Sequence, residues 1–188
     1  MPTKRPLRRH AVIQPLDISY RYIPLSRGQN AIVDAEDFYW LMEFNWHADI
    51  HHSKTHFYAK TNVWIDGKWH TQSMHRLILG CKKGEQGDHK NRNTLDNRRE
   101  NIRKCTPFQN ARNKKSWGKT SQYKGVSFWS LGKKWKASIT FNNNRKHLGF
   151  FDSEKDAAHA YDSAANIYHG QFAHLNFPIV PESKILPS

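Results

Sequence analysis

Residues 134 to 151 set the strongest constraint on the fold. Trp135, Ala137, Ile139 and Phe141 alternate with Lys136, Ser138 and Thr140, and a period of two marks a strand with one buried face. Asn142-Asn143-Asn144 follows, a run tolerant of left-handed backbone, and then a returning strand, RKHLGFF. YKGVSFW ahead of them offers a third strand. Ser153 with Asp156 three residues on opens a helix as a capping motif does, and Gly170 stands where a C-cap glycine belongs. Between them Ala157, Tyr161, Ala164 and Tyr168 recur at helical spacing, an alanine-rich stripe that approaches a sheet closely. The expected product is a three-stranded sheet with one helix packed on it, pinned by the closing HLNFPIVP.

Residues 20 to 72 read as a small mostly-β unit. AIVDAEDFYWLMEFNW starts as a strand and becomes a short helix, and Asp66-Gly67 joins HFYAKTNVWID to KWHTQSMH as a hairpin turn. Tyr39, Trp40, Phe44, Trp46, Tyr58 and Trp64 are expected in its core or half-buried on its sheet. His47 with His51 and His52 with His56 have H-x3-H spacing, but no C-x2-C pair accompanies them, and with His70 they read as ordinary polar residues. Cys81 and Cys105 read as two reduced thiols. Residues 1 to 19 form a basic arm without the apolar stretch of a secretory signal. The polar NKKSWGKTSQ at 113 to 122 has linker composition, centred on residues 116 to 120, and 179 to 188 form a tail.

Charge narrows the function. Thirty Lys and Arg oppose sixteen Asp and Glu for a net +14, and residues 73 to 118 alone carry +8. A mean hydropathy of -0.86 leaves no apolar run of the ~20 residues a membrane span needs. With 13% aromatics the chain is no disordered polycation. A folded basic protein of this size points to nucleic acid and away from a large cofactor-binding enzyme.

The +8 segment also carries a chemical pattern. Asp88-His89 and Asn101-Ile102-Arg103 flank a polar loop as the strands of a hairpin, and Thr106-Pro107-Phe108-Gln109 is a helix start that places Asn110 and Asn113 one turn apart. Asp88 and Asn110 offer the oxygen donors that suit Mg²⁺. His89 is adjacent to Asp88 on the strand, faces the other side of the pleat, and suits a general base acting on water.

Met74-His75-Arg76-Leu77, Asp88-His89, the run from Asn97 to Arg103 and the Thr106 to Asn110 helix start, in that order, resemble the HNH endonucleases of phages and group I introns. The resemblance covers residues 73 to 115. It implies a ββα-metal core in which Asp88 and Asn110 hold one divalent metal, Mg²⁺ or Mn²⁺, and His89 activates the attacking water. Asn101 would orient the hairpin. Many relatives carry His where this chain has Asn110, and Asp-Gly where it has Asn91-Arg92. His75 reads as helix-borne packing. Arg76, Arg98, Arg99, Arg103, Lys114 and Lys115 are expected against DNA.

Tyr123-Lys124-Gly125-Val126, Trp135-Lys136-Ala137, the run from His147 to Asp152, Ala157-Ala158 with Ala160-Tyr161-Asp162, Ala164-Ala165 and Leu175-Asn176-Phe177-Pro178 resemble the AP2 (plant ERF-type) DNA-binding domain over residues 121 to 178. The resemblance implies a sheet lying in the major groove, with Lys124, Lys133, Lys136, Arg145 and His147 on or near that face. Ser127, Trp129, Leu131 and Thr140 stand where plant proteins carry Arg or Trp, so their GC-rich target does not carry over. Trp129 reads equally as surface contact or core.

Together these readings give an α+β chain: an N-terminal β-containing unit leading into an HNH core, joined by a linker to an AP2-like domain. The expected activity is metal-dependent, homing-type nicking of double-stranded DNA in the cytoplasm of a bacterial or phage-infected cell. The enzyme is expected as a monomer or weak dimer without a small-molecule cofactor or membrane partner. The alternative is a DNA-binding regulator with an inactive HNH core.

Overall fold

The computed structural model describes residues 10–50, 56–113 and 120–178. The N-terminal residues 1–9, His51 and His52, Lys114 and Lys115, positions 116–119 of the expected linker, and 179–188 lie outside the described residues. The chain is α+β and divides into two compact units between Pro107 and Phe108, ahead of the expected linker. No helix among the described residues is long and apolar enough to cross a membrane.

In the first unit, β1 (Tyr20–Pro24) pairs antiparallel with β2 (Asn30–Asp34), and α1 (Ala35–Met42) follows directly. A meander of β3 (His47–Ile50), β4 (Phe57–Ile65) and β5 (Lys68–Ser73) forms a three-stranded sheet in that order. Asp66 (φ 47°) and Gly67 (φ 75°) turn β4 into β5 in the left-handed conformation that the Asp-Gly pair favours. Then come α2 (Met74–Ile78) and the hairpin of β6 (Gln86–His89) with β7 (Ile102–Cys105). One core serves all of these: Ile23, Val33, Leu41 and Trp46 pack with Met74, Ile78 and Ile102. Residues 20 to 72 therefore share their apolar interior with α2 and the hairpin. Tyr39 departs from its expected place: it is 81% exposed, because α1 turns Asp37 and Leu41 inward. Trp64 is half exposed, paired edge-on with Trp69 across β4 and β5.

In the second unit, α3 (Pro107–Asn113) begins where the Thr-Pro signal placed it, with its residues from Phe108 onward on this side of the division. β8 (Val126–Trp129), β9 (Lys134–Phe141) and β10 (Asn144–Phe151) form an antiparallel sheet with β9 central. The β9–β10 turn uses Asn142 (φ 48°) and Asn143 (φ 62°), and the Ser153 hydroxyl caps α4 (Glu154–His169) by accepting from the Asp156 N–H. Ala137 and Ile139 meet Ala157, Ala158, Tyr161 and Ala165 across the sheet–helix layer. The closing segment is latched to the helix: Asp162 accepts from the backbone of Asn176 (2.9 Å) and Phe177 (2.8 Å), while Asn176 Oδ1 accepts from Lys124 N (2.7 Å).

Gly125 is the tightest point of this layer. Its φ is +78°, and a Cβ there would lie 1.9 Å from Tyr161 Cδ2 and 2.8 Å from the Ser138 carbonyl. Gly125→Ala is therefore expected to destabilise the second unit by about 3 kcal/mol, combining left-handed strain with overpacking. A urea titration checks it, the expected result being a lower midpoint with an unchanged m-value.

Candidate nucleic-acid interface and hairpin centre

Cross-strand pairing sets Asp88 opposite Arg103. Arg103 Nε (2.9 Å) and Nη2 (2.7 Å) both donate to Asp88 Oδ2, in an ion pair whose side chains are only 11% and 7% exposed. The neighbouring His89 is also buried. Its Nε2 donates to Asn97 Oδ1 at 3.3 Å, and its ring stands edge-on to that of His75 with centroids 4.6 Å apart. Tyr58 on β4 lies about equally far from both rings, at 6.1 and 6.2 Å. Gly87 makes room for this cluster, because a Cβ there would lie 2.3 Å from His75 Cδ2.

The loop between the strands is held by its own amides. Asn101 Nδ2 donates to Asp96 O (2.7 Å) and its Oδ1 accepts from Asn91 N (2.9 Å), which fixes the segment carrying Asn97 against His89. Arg98 grips Asp96 with Nε (2.8 Å) and Nη2 (2.9 Å). Arg99 does the same to the buried Asp37 with Nε (2.9 Å) and Nη2 (2.8 Å). Arg76 donates to the carbonyls of Glu85 and Lys82. The guanidinium groups expected against phosphate thus all have oxygen partners inside the unit, and part of the +8 is neutralised locally. His75, read from sequence as packing, sits in the centre itself. Asn97 was legible only as one residue of a polar run.

Burial sets the ionisation. It pushes His75 down to about 3, reinforced by the neighbouring His89. It also lowers His89, against the opposing pull of the Asn97 bond and the Asp88 and Asp96 carboxylates. Burial pushes the Cys105 thiol up to about 11, consistent with an unreactive thiol. A histidine with a folded pKa below its unfolded value of about 6.5 binds its proton more tightly in the unfolded chain, so stability is present above that pH and is lost as pH falls. The first unit is therefore expected to lose stability from pH 6.5 downward, by up to ~1.4 kcal/mol per pH unit for each such group. His75→Phe should flatten that limb in urea titrations at pH 7, 6 and 5.

The expected metal pair divides between the units. Asp88 is on β6, and Asn110 is on α3 beyond the division. Among the described residues no three His, Cys, Asp or Glu side chains are grouped to hold a metal ion. The fit of a divalent cation therefore rests on the donor chemistry of one carboxylate and one amide oxygen, which hard cations accept.

In the second unit, register decides which side chains face away from α4. Ser127 pairs with Lys136, Thr140 with Arg145 and Ser138 with His147, all on the outward face. A bulge between His147 and Gly149 shifts the alternation, so Phe150, opposite Lys136, faces outward too. Trp129 lies on this face, 41% exposed, against Phe150 (43% exposed) with centroids 4.7 Å apart. Lys136, Arg145 and His147 are thereby brought together. Lys133 sits in the β8–β9 turn at φ 52°, and Lys124 Nζ donates to the Arg112 carbonyl, so neither shares the strand face. Ser138 is buried although it falls on the polar phase of β9, because Arg145 covers its hydroxyl through Nε (3.0 Å) and Nη2 (2.8 Å).

No family model matches the chain. Over 61 residues, 32% of its length, it is 41% identical to the AP2-like ethylene-responsive transcription factor TOE2 of Arabidopsis thaliana. Over 58 residues, 30% of its length, it is 50% identical to the Dehydration-responsive element-binding protein 2D of the same plant. It is also 39% identical over 59 residues, 31% of its length, to the APETALA2-like protein 2 of Oryza sativa subsp. indica. The matches span 13%, 28% and 14% of those relatives, less than a third of each. The chain is thus similar to AP2/ERF proteins over about 60 residues, and none of these three relatives is named as a nuclease.

Proposed function

We propose that the chain binds double-stranded DNA through the outward sheet face of its second unit. The observation that carries this reading is the gathering of Lys136, Arg145 and His147 on one face of an AP2-like sheet, beside the exposed Trp129 and Phe150. A twisted antiparallel ribbon fits the major groove, and the cations meet phosphate or base edges there. The relatives' names support the reading, since one is a dehydration-responsive element-binding protein and another a transcription factor. Fluorescence anisotropy with a labelled duplex tests it. The full chain should bind with log K falling by about 0.9 per neutralised phosphate per unit of log salt. The chain cut after Pro107 should bind more weakly and with a shallower slope. Equal affinity and slope would refute the reading.

We further propose that the first unit hydrolyses a phosphodiester bond of that DNA. His89 Nε2 donates to Asn97, so Nδ1 is the basic nitrogen, and burial keeps the imidazole neutral at pH 7. His89 would take the proton of an attacking water, and Asn101 would hold the loop that sets its tautomer. Asp88 would hold a divalent cation, Mg²⁺ by the hardness of its oxygen. The cation, when bound, supplies charge neutralisation at the phosphate. The alternative, a DNA-binding regulator with an inactive core, has the better support, since the relatives are named as a transcription factor and an element-binding protein. It is favoured by the Arg103 grip on Asp88 Oδ2, which any cation must displace or share.

A further inference from the structure

The outward face of the sheet is unevenly equipped for reading bases. Arg145 is the only arginine between residues 120 and 178, and its Nε and Nη2 are turned onto Ser138 Oγ. The two-pronged grip on the guanine edge, the commonest specific contact in the major groove, therefore has one candidate arginine, and the Nε/Nη2 edge of its guanidinium is already engaged. What the face does offer is a row of rings. His147 and Phe150 have centroids 4.6 Å apart, Phe150 and Trp129 4.7 Å, and the two aromatic side chains remain 43% and 41% exposed. The bulge after His147 is what brings Phe150 into this row.

An exposed ring gains by covering an apolar group. Among the base edges in the major groove, the thymine C5-methyl is that group; cytosine, adenine and guanine present polar atoms there. Lys136, directly opposite Phe150, and Arg145 put positive charge on the same face, which brings the rings to an anionic duplex rather than to an apolar partner. Resting on the DNA-binding reading above, we propose that Trp129 and Phe150 read thymine C5-methyl groups in the major groove. The face thus selects sites by methyl contact in place of arginine-to-guanine pairing.

The test uses the full chain and a duplex selected by it from a random pool, with each thymine replaced singly by deoxyuridine, which keeps the base pair and removes only the methyl. Anisotropy titrations should show affinity falling about fourfold at one or more positions, the scale of one buried methyl. Trp129→Ala and Phe150→Ala, checked for an unchanged thermal midpoint, should bind the thymine and uracil duplexes equally. Tight duplex binding that is blind to every replacement would overturn the inference while leaving the DNA-binding reading intact. So would a selected site without thymine. A preference for the single strand over its duplex would overturn it by making the rings a stacking platform. No binding to any duplex would overturn both.

Discussion

Replacing His89 with alanine is expected to slow the proposed nicking of supercoiled plasmid by ~10²- to 10⁴-fold, roughly 3 to 5 kcal/mol of transition-state stabilisation, while duplex affinity is unchanged. Binding is assigned to the sheet of the second unit, whereas His89 is buried in the first between Asn97 and His75. The alanine also leaves the Asn97 oxygen without its donor, so His89→Gln is the companion variant. It restores a polar side chain but no base, and should nick as slowly as the alanine. A glutamine variant that nicks at the wild-type rate would remove His89 from the chemistry.

The second large effect concerns stability. Asp88→Ala leaves the Arg103 guanidinium, only 11% exposed, without its carboxylate, and breaking a buried pair from one side costs about 3–5 kcal/mol. The urea midpoint of the first unit should fall accordingly, so loss of nicking in this variant alone does not identify a metal ligand. Asp88→Ala combined with Arg103→Met removes both charges and should recover most of the stability, because two uncharged partners leave no buried ion. Nicking should stay absent in the double variant, since the carboxylate oxygen is still missing. A double variant that recovers both stability and nicking would show that Asp88 has only a structural part.

Features set by residues near in sequence were legible. Asp66-Gly67, the Asn142-Asn143 turn, the Ser153 cap and the alternation of β9 each act within a few positions, and each produced the expected element. Features that need distant partners were not. His75 and His89 meet only because the chain folds α2 over a strand that carries Gly87. Arg99 finds Asp37 across 62 residues, so its guanidinium also holds the inner face of α1. The exposure of Phe150 depends on the one-residue bulge, which strict alternation through RKHLGFF does not contain. The division into compact units falls at Phe108, where no polar run in the sequence marks it.

The most direct measurement mixes the full chain with supercoiled plasmid, first in EDTA and then with Mg²⁺, and follows both by gel electrophoresis. Retarded plasmid is expected without metal and open circles after its addition, with His89→Ala giving the first and not the second. Retarded plasmid that stays supercoiled in Mg²⁺ and in Mn²⁺ would leave the regulator reading in place of hydrolysis. Plasmid that runs unretarded at every protein concentration would contradict DNA binding by this chain.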